Sequence, residues 1–241
     1  MNQARLRRVG HKGADLITPG NTYASFDAAL AAKVDMIEFD VLPEARGERL
    51  LLAHDYGYDY DGAARRSPLT LEQGLTHLAS DPFSGIEFDV DLKLPGYELR
   101  VLDALRAHGV LERALISSQY RASLAVIRGA EQRVRLGWSV PRLRRDPSRS
   151  PALMLPALAA MHVARVLLPA LASREIRSGR CDALMSHWRL VTPRLVRSVR
   201  AAGGELYVWT VDELPKLREL ERLGVTGVIT NDPRLFTALA A

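Results

Sequence analysis

The stretch Met36-Ile37-Glu38-Phe39-Asp40-Val41 is a short apolar run that contains two carboxylates two residues apart. In a β-strand successive side chains point to opposite faces, so Glu38 and Asp40 share one face and the apolar residues share the other. Two carboxylates on one face repel each other, so a cation must lie between them or one must hold a proton. A hard divalent cation such as Mg2+ or Ca2+ is a common solution, because both ions prefer oxygen ligands. The alternative is an edge strand with a solvated polar face.

On either side of this stretch, strand-like runs alternate with helical segments, which favours a parallel sheet. The predicted strands are Arg7–His11, Met36–Val41, Gly85–Lys93, Ala114–Ser118, Arg135–Val140, Ala183–His187, Glu205–Thr210 and Val225–Thr230. Eight strands with intervening helices predict a TIM (β/α)8 barrel. A chain of 241 residues suits a single barrel domain over residues 1–241.

Three connections carry more specific expectations. Leu50–His54 is predicted to form a small hairpin-like excursion after the second strand. Asn21 or Thr22 is expected to cap the first helix. The segment Pro151–Arg180 is longer than one barrel helix needs, so it is predicted to form two helices with a turn near Pro169.

Composition narrows the class of protein without identifying a partner. The net charge of +5 favours an anionic partner, whether a phosphate-bearing substrate, an acidic membrane surface or nucleic acid. Cys181 is the only cysteine, which excludes an intrachain disulfide. The first residues are basic and lack the apolar stretch of a secretory signal, so the predicted location is cytoplasmic. The apolar segment Leu153–Ala172 contains too many prolines and charges for a membrane span.

Polar side chains follow the ends of several predicted strands. They are His11 after strand one, Glu38 and Asp40 in strand two, His54 after the excursion, Asp91 and Lys93 in strand three and Trp209 in strand seven. The C-terminal ends of barrel strands form one mouth, where catalytic groups gather. We therefore expect these residues to converge on one pocket.

The same residues carry a family resemblance. In chain order the strings are His11-Lys12-Gly13, Pro19-Gly20-Asn21-Thr22, Ile37-Glu38-Phe39-Asp40-Val41, His54-Asp55, Val90-Asp91-Leu92-Lys93, Val208-Trp209-Thr210-Val211-Asp212 and Gly227-Val228-Ile229-Thr230-Asn231-Asp232-Pro233. As a set they resemble the glycerophosphodiester phosphodiesterase family over almost the whole chain. The resemblance implies a TIM barrel that uses a divalent metal, Mg2+ or Ca2+, to hydrolyse glycerophosphodiesters to glycerol 3-phosphate and an alcohol.

The resemblance also assigns roles to individual residues. It implies a metal held by Glu38, Asp40 and Asp91, an acid/base pair formed by His11 and His54, and substrate binding by Lys12, Lys93 and Trp209. Chemistry supports this set, because a metal and Lys93 would stabilise the charge that builds on the phosphate oxygens. Two imidazoles with pKa values near neutrality suit proton transfer in both directions.

The order of residues leaves several alternatives open. His11 is assigned to the attacking side and His54 to the leaving group, but the reverse is equally compatible with the sequence. The nucleophile is either water or a hydroxyl of the substrate, and the second gives a cyclic phosphate. A lysophospholipase D or sphingomyelinase D-like phosphodiesterase is the alternative enzyme. A non-catalytic barrel that contacts anionic lipid is the alternative from another class, and no motif favours nucleic acid.

Four positions depart from the family pattern. Lys12 replaces an arginine and loses its planar fork for phosphate. Gly20 replaces a glutamate, and Asp91 replaces a glutamate with a shorter arm. The stretch after His54-Asp55 lacks the usual Arg-Thr-x-x-Gly string. These differences affect the choice of substrate more than the type of reaction.

The third predicted strand has an unusual inner face. Glu87, Asp89, Asp91 and Lys93 alternate, so Glu87 and Asp89 also turn into the barrel, where interior residues are normally apolar. Buried carboxylates need partners. We expect Arg7 to pair with Glu87, and the alternative is a bulge that turns the lower acids outward. The basic loop Arg142–Arg149 is predicted to lie at the mouth, as an anion contact or as a solvated loop.

Overall fold

The computed structural model describes residues 5–57, 67–141 and 151–240, and its parallel strands close into a TIM barrel. The strands are β1 (Arg7–Gly10), β2 (Met36–Pro43), β3 (Leu50–Leu52), β4 (Glu87–Leu92), β5 (Ala114–Ser118), β6 (Arg135–Val140), β7 (Ala183–His187), β8 (Glu205–Trp209) and β9 (Gly227–Thr230). The helices are α1 (Tyr23–Ala31), α2 (Leu71–Leu78), α3 (Glu98–Ala107), α4 (Arg121–Ala130), α5 (Pro151–Arg177), α6 (Pro193–Ala201), α7 (Leu214–Leu223) and α8 (Leu235–Ala240). The predicted fold class is confirmed.

The barrel closes because β1 pairs in parallel with both β9 and β2. The remaining parallel neighbours run in the order β9, β8, β7, β6, β5, β4 and β2. The strand β3 lies outside this ring and pairs antiparallel with the end of β2, where Val41 faces Leu52. The predicted hairpin-like excursion is therefore confirmed. Its place in the fold puts the residues after β3 beside the mouth end of β2.

Local sequence explains how α1 begins. The Thr22 hydroxyl accepts a hydrogen bond from the Ser25 amide at 3.1 Å, and the Ser25 hydroxyl accepts one from the Thr22 amide at 3.1 Å. This reciprocal pair is a capping box, which satisfies two of the unpaired amides of the first turn. Of the two predicted caps, Thr22 is the one that forms. Asn21 has a positive φ of 55° and turns its side chain toward β2 instead.

The prediction of two helices in Pro151–Arg180 is wrong, because α5 is a single helix that continues through Pro169. A proline inside a helix removes one hydrogen bond and costs about 3 kcal/mol. Packing on both sides compensates for this cost. Leu168 lies before the proline, Ala172 and Ile176 lie after it, and all three are buried in the core between helices and barrel. No helix of the described residues is long and apolar enough to cross a membrane.

Ion pairs fill the N-terminal end of the barrel interior, which we call the barrel floor (Arg7, Glu87, Arg135, Glu205 and Tyr207). Arg7 and Arg135 both bind the Glu87 carboxylate. Arg7 also donates a hydrogen bond to the Tyr207 hydroxyl at 3.3 Å, and Arg135 lies 3.7 Å from Glu205. The predicted Arg7–Glu87 pair is confirmed, and β4 has no need of the alternative bulge.

An apolar layer separates this floor from the mouth. Its buried members come from six of the eight barrel strands and are Val9, Met36, Leu115, Ala183, Met185, Tyr207 and Ile229. The ring of Tyr207 belongs to this layer, and its hydroxyl reaches Arg7 of the floor. Such a layer excludes water from the middle of the barrel. The polar residues farther along the strands are thereby confined to the C-terminal end.

Candidate active site

A cavity of about 160 Å3 opens at the C-terminal ends of the strands. It is lined by His11, Glu38, His54, Asp89, Asp91, Lys93, Ser117, Gln119, Ser139, Met185, Trp209, Thr210 and Ile229. Six of the eight residues predicted for the site are among them. Asp40 lies beneath this surface, with none of its area exposed. The eighth residue, Lys12, is outside the cavity lining, and its ammonium binds Asp15.

Three carboxylates converge at the centre of the site. Glu38, Asp40 and Asp91 each offer an oxygen atom, and these atoms all lie within 4.8 Å of one another. The Lys93 ammonium lies between two of them, 2.5 Å from Asp40 Oδ1 and 2.5 Å from Asp91 Oδ2. The face that β2 was predicted to present is therefore buried in the barrel rather than solvated.

The crowded charges move the pKa values of these groups in opposite directions. Burial raises the pKa of Glu38 well above its ordinary value, and the negative charge of Asp40 adds to the rise. For Asp40, burial also acts upward, but the positive charge of Lys93 outweighs it and lowers the pKa. Burial lowers the pKa of Lys93, yet the surrounding carboxylates raise it well above its ordinary value. The site therefore binds one positive charge strongly and has negative charge left over.

Hydrogen bonds from the chain orient each carboxylate. The backbone amide of Lys12 donates to Glu38 Oε2 at 2.7 Å. The Asn21 side-chain amide donates to Asp40 Oδ2 at 3.0 Å, which leaves Oδ1 facing Lys93. The Ser117 hydroxyl donates to Asp91 Oδ1 at 3.3 Å. Two of these contacts come from the loop after β1, where Lys12 and Asn21 have positive φ angles of 49° and 55°.

His11 is held by a chain of side chains. Its Nδ1 lies 2.5 Å from Asn231 Oδ1, and Asn231 Nδ2 donates to Asp212 at 2.7 Å. Because the Asn231 amide group is used on Asp212, its oxygen must accept the proton of His11 Nδ1. The other nitrogen, Nε2, then keeps its lone pair and faces the site, 3.8 Å from Glu38 Oε2. Burial lowers the pKa of His11, which favours this neutral form.

The second histidine occupies a different environment. His54 follows β3, and its side chain is 52% exposed, whereas that of His11 is 20% exposed. Its Nδ1 lies 3.3 Å from Asp55 Oδ2. The two histidines therefore line one cavity, with His11 inside it and His54 at its rim.

The aromatic wall predicted at Trp209 lies in the cavity lining. The ring of Trp209 meets His187 edge-on with centroids 5.2 Å apart, and His187 stacks on Trp188 at 5.6 Å. This row of rings at the end of β7 and β8 gives one side of the mouth an apolar surface.

Lys12 does not face the cavity. Its ammonium lies 3.2 Å from Asp15 Oδ2, and its backbone has a positive φ of 49°. The same aspartate accepts a hydrogen bond from the Gly20 amide at 2.8 Å, and a Cβ placed on Gly20 would lie 2.6 Å from Asp15 Oδ1. The carboxylate of Asp15 thus occupies the space beside Gly20. The loop therefore carries an acid, Asp15, beside the position where the resemblance leads us to expect a glutamate.

Sequence reasoning missed the residues that support the site. The sequence predicts Asn21 only as a possible helix cap, and it gives no role to Asn231 or Asp212. Each lies directly after a strand or in a strand-to-helix loop, which is a signal for a mouth position. What each one contacts depends on tertiary structure. The basic loop Arg142–Arg149 lies outside the described residues.

Comparison with known proteins gives a consistent result. A family model described as the glycerophosphoryl diester phosphodiesterase family matches residues 103–235. A glycerophosphodiester phosphodiesterase of Caldanaerobacter subterraneus subsp. tengcongensis is 24% identical over 263 residues, which cover 96% of each chain.

Two solved structures show the same fold. One is a protein from Galdieria sulphuraria that was solved under the name putative glycerophosphodiester phosphodiesterase. It superposes with a TM-score of 0.76 at 16% identity over the whole of both chains. A phosphodiesterase of Oleispira antarctica, solved with its product sn-glycerol-3-phosphate, gives a TM-score of 0.70 at 18% identity over 98% of each chain.

Proposed function

The chain belongs to the glycerophosphoryl diester phosphodiesterase family, and from this premise we propose that its mouth cavity hydrolyses a glycerophosphodiester to glycerol 3-phosphate and an alcohol. As a member it is a phosphodiesterase. One observation carries the finer assignment: three carboxylates, Lys93 and two histidines meet around a single small cavity. Such a set is what displacement at a phosphodiester requires.

The carboxylate cluster fits a hard divalent cation, Mg2+ or Ca2+. Its donors are all oxygen atoms, they converge within 4.8 Å, and burial together with the negative charge of Asp40 raises the pKa of Glu38. Glu38, Asp40 and Asp91 would hold the ion, with Asn21 and Ser117 orienting two of them. When bound, a divalent cation supplies positive charge to the non-bridging oxygens of the phosphate.

Lys93 and Lys12 contribute positive charge in different ways. The Lys93 ammonium is buried among the carboxylates and lines the cavity, so we assign it to a phosphate oxygen. The Lys12 ammonium binds Asp15; burial is the main cause that lowers the pKa of His11, and the charge of Lys12 lowers it further. We therefore assign Lys12 to long-range attraction of the anionic substrate rather than to a direct fork. Trp209 forms the wall against which the substrate lies.

The two histidines divide the proton transfers. His11 Nε2 carries a lone pair inside the cavity, so it takes the proton of the attacking hydroxyl as that oxygen bonds to phosphorus. His54 gives a proton to the departing alkoxide as its bond to phosphorus breaks. Its exposure at the rim suits a group that meets the leaving alcohol near solvent. The nucleophile is water in this scheme, and a substrate hydroxyl in the alternative that yields a cyclic phosphate.

Phosphorus NMR of glycerophosphocholine and lysophosphatidylcholine, with and without EDTA, tests this proposal. We expect glycerol 3-phosphate from the first substrate, loss of turnover in EDTA, and recovery with Mg2+ or Ca2+. His11→Ala and His54→Ala should each slow turnover by about 100- to 10,000-fold. The matched control is His162→Ala, which removes an exposed histidine of α5.

The outcomes separate the alternatives. Turnover that persists in EDTA and in both histidine variants would contradict the mechanism. A cyclic phosphate, or faster cleavage of lysophosphatidylcholine, would favour the lysophospholipase D or sphingomyelinase D-like alternative. Binding to anionic vesicles without turnover of either substrate would favour the non-catalytic barrel.

A further inference from the structure

One carboxylate of the cavity has no role in the proposed mechanism. Asp89 lies on β4 one inward position below Asp91, is 1% exposed and lines the cavity. Its Oδ1 atom has no hydrogen-bond partner within the described ranges 5–57, 67–141 and 151–240. It is also outside the group of three carboxylates whose oxygens converge, so the metal cluster does not account for it.

A buried polar oxygen without a partner is costly. Leaving such a group unsatisfied costs about 1–3 kcal/mol, and more for a charged one, so native structures contain few of them. Glu87, two residues earlier on the same face, is paired by Arg7 and Arg135. The contrast shows that β4 can bury an acid with its partners. The unsatisfied Oδ1 atom of Asp89 therefore points to a hydrogen-bond donor that arrives with the substrate.

The surroundings of Asp89 define the chemistry of that partner. The hydroxyl-bearing residues Ser117 and Ser139 lie with it in the cavity lining, and Met185 and Ile229 bring side chains of the apolar layer. Beneath them the apolar layer and the ion-paired floor close the barrel. The cavity is small, at about 160 Å3, so a long acyl chain has no room to continue inward. A short molecule with several hydroxyl groups fits this closed polar end.

We propose that Asp89 is a specificity-determining residue that accepts a hydrogen bond from a hydroxyl group on the inner alcohol of the substrate. This inference rests on the proposed function and deepens it. A site built to hydrogen-bond a substrate hydroxyl rejects an analogue that lacks it, because the buried acceptor is then left unpaired. The same argument disfavours an acyl chain against Asp89.

The proposal also fixes the direction of the substrate. The polyol lies at the closed end with Asp89, and the second alcohol lies at the open rim with His54 and Trp209. The side chain of His54 at this rim is 52% exposed.

The test compares glycerophosphocholine with two deoxy analogues, each of which has one glycerol hydroxyl replaced by hydrogen. For the wild-type enzyme with its metal, kcat/KM is expected to fall by at least about 100-fold for one analogue. Asp89→Ala should reduce that preference at least tenfold, by slowing glycerophosphocholine and not the analogue. Asp89→Asn keeps an acceptor oxygen and the shape of the side chain, so it should retain the preference within about threefold.

Ser123→Ala is the matched control, because it removes a buried, unpartnered hydroxyl on α4 that is outside the cavity lining. It should leave the preference unchanged. If Asp89→Ala slows all three substrates by the same factor, Asp89 has a structural or purely electrostatic role and the inference is overturned. If the wild-type enzyme cleaves none of them in the presence of metal, the proposed function itself fails, and this result is distinct from the previous one.

Discussion

The two ends of the barrel interior both contain buried or half-buried charges, but they pair them differently. At the floor two arginines face two glutamates, Glu87 and Glu205. At the mouth four carboxylates surround Lys93. Among the described residues, Lys93 provides the one ammonium group that lines the cavity. The floor is balanced and the mouth carries excess negative charge.

The pKa values of the acids on β4 show what this difference means. Burial acts upward on Glu87, but hydrogen bonds from Arg7 and Arg135 outweigh it and lower the pKa. For Asp89, burial and the charge of Asp91 raise the pKa to about 8. Two acids on one face of one strand thus shift in opposite directions. The ion pairs of the floor stabilise the fold, whereas burial and like charge at the mouth favour the protonated forms of Glu38 and Asp89, a cost that a bound cation would relieve.

The largest expected effect on turnover is at the mouth, and it distinguishes the mouth from the floor. Asp91→Asn removes one of the three proposed metal ligands, so kcat/KM should fall by about 100- to 1000-fold. The free energy of unfolding should change by less than about 1 kcal/mol, because Asp40 still neutralises Lys93. Steady-state kinetics and urea unfolding measure the two quantities. A loss of stability as large as the loss of transition-state stabilisation would show that Asp91 has a structural role like that of Glu87.

A smaller effect is expected from the support of His11. Asn231→Ala removes the acceptor of His11 Nδ1, so kcat should fall by about 10- to 100-fold, the loss usual for a residue that orients a functional histidine. KM should change by less than threefold. The neighbouring Asp232→Asn, whose carboxylate binds Arg234 at the surface, is the control. An unchanged kcat in Asn231→Ala would mean that His11 keeps its orientation without this contact.

Glu87→Gln tests the floor and should affect stability rather than turnover. Removing the charge from its two arginines should lower the free energy of unfolding by about 1–2 kcal/mol, with kcat/KM within twofold of wild type. Because folding lowers the pKa of Glu87, its contribution is present above the ordinary value of about 4.3 and is lost as the pH falls below it. Unfolding in urea between pH 3 and 6 should therefore depend less on pH in the variant. An equal pH dependence would mean that Glu87 does not stabilise the fold through its charge.

The smallest effect is expected at Lys12. Its ammonium binds Asp15 and lies outside the cavity lining, so Lys12→Gln should raise KM by about two- to fivefold at low salt and leave kcat unchanged. The increase should shrink at high salt, where charges are screened. A larger, salt-independent loss would place Lys12 in direct contact with the phosphate.

The sequence was sufficient to predict the barrel, because alternating strand-like and helical runs determine how layers pack. Parity along a strand also predicted that Glu87 faces inward and that Arg7 meets it. It did not reveal Arg135 as the second partner, since parity says which residues point inward but not which strands bring them to the same height. That information lies in the stagger of the closed barrel.

The positions of the proposed ligands were predictable, and their supports were not. Glu38, Asp40 and Asp91 are set by strand ends, whereas Asn21 and Asn231 act through side-chain directions in loops. Lys12 shows the same limit, because its backbone amide serves Glu38 while its charge turns to Asp15. The helix α5 was mispredicted because packing against the barrel outweighs the local preference of Pro169.

The antiparallel pairing of β2 with β3 determines where His54 lies in the candidate active site. The pairs Val41–Leu52 and Pro43–Leu50 set the position of His54 relative to the carboxylates of β2. A slip of two residues in this register would displace His54 by about 7 Å. Insertions within residues 44–49, beyond the last pair, leave the register intact. Evolution and engineering can therefore lengthen the tip of this ribbon freely, while the two-residue step from Leu52 to His54 must be conserved.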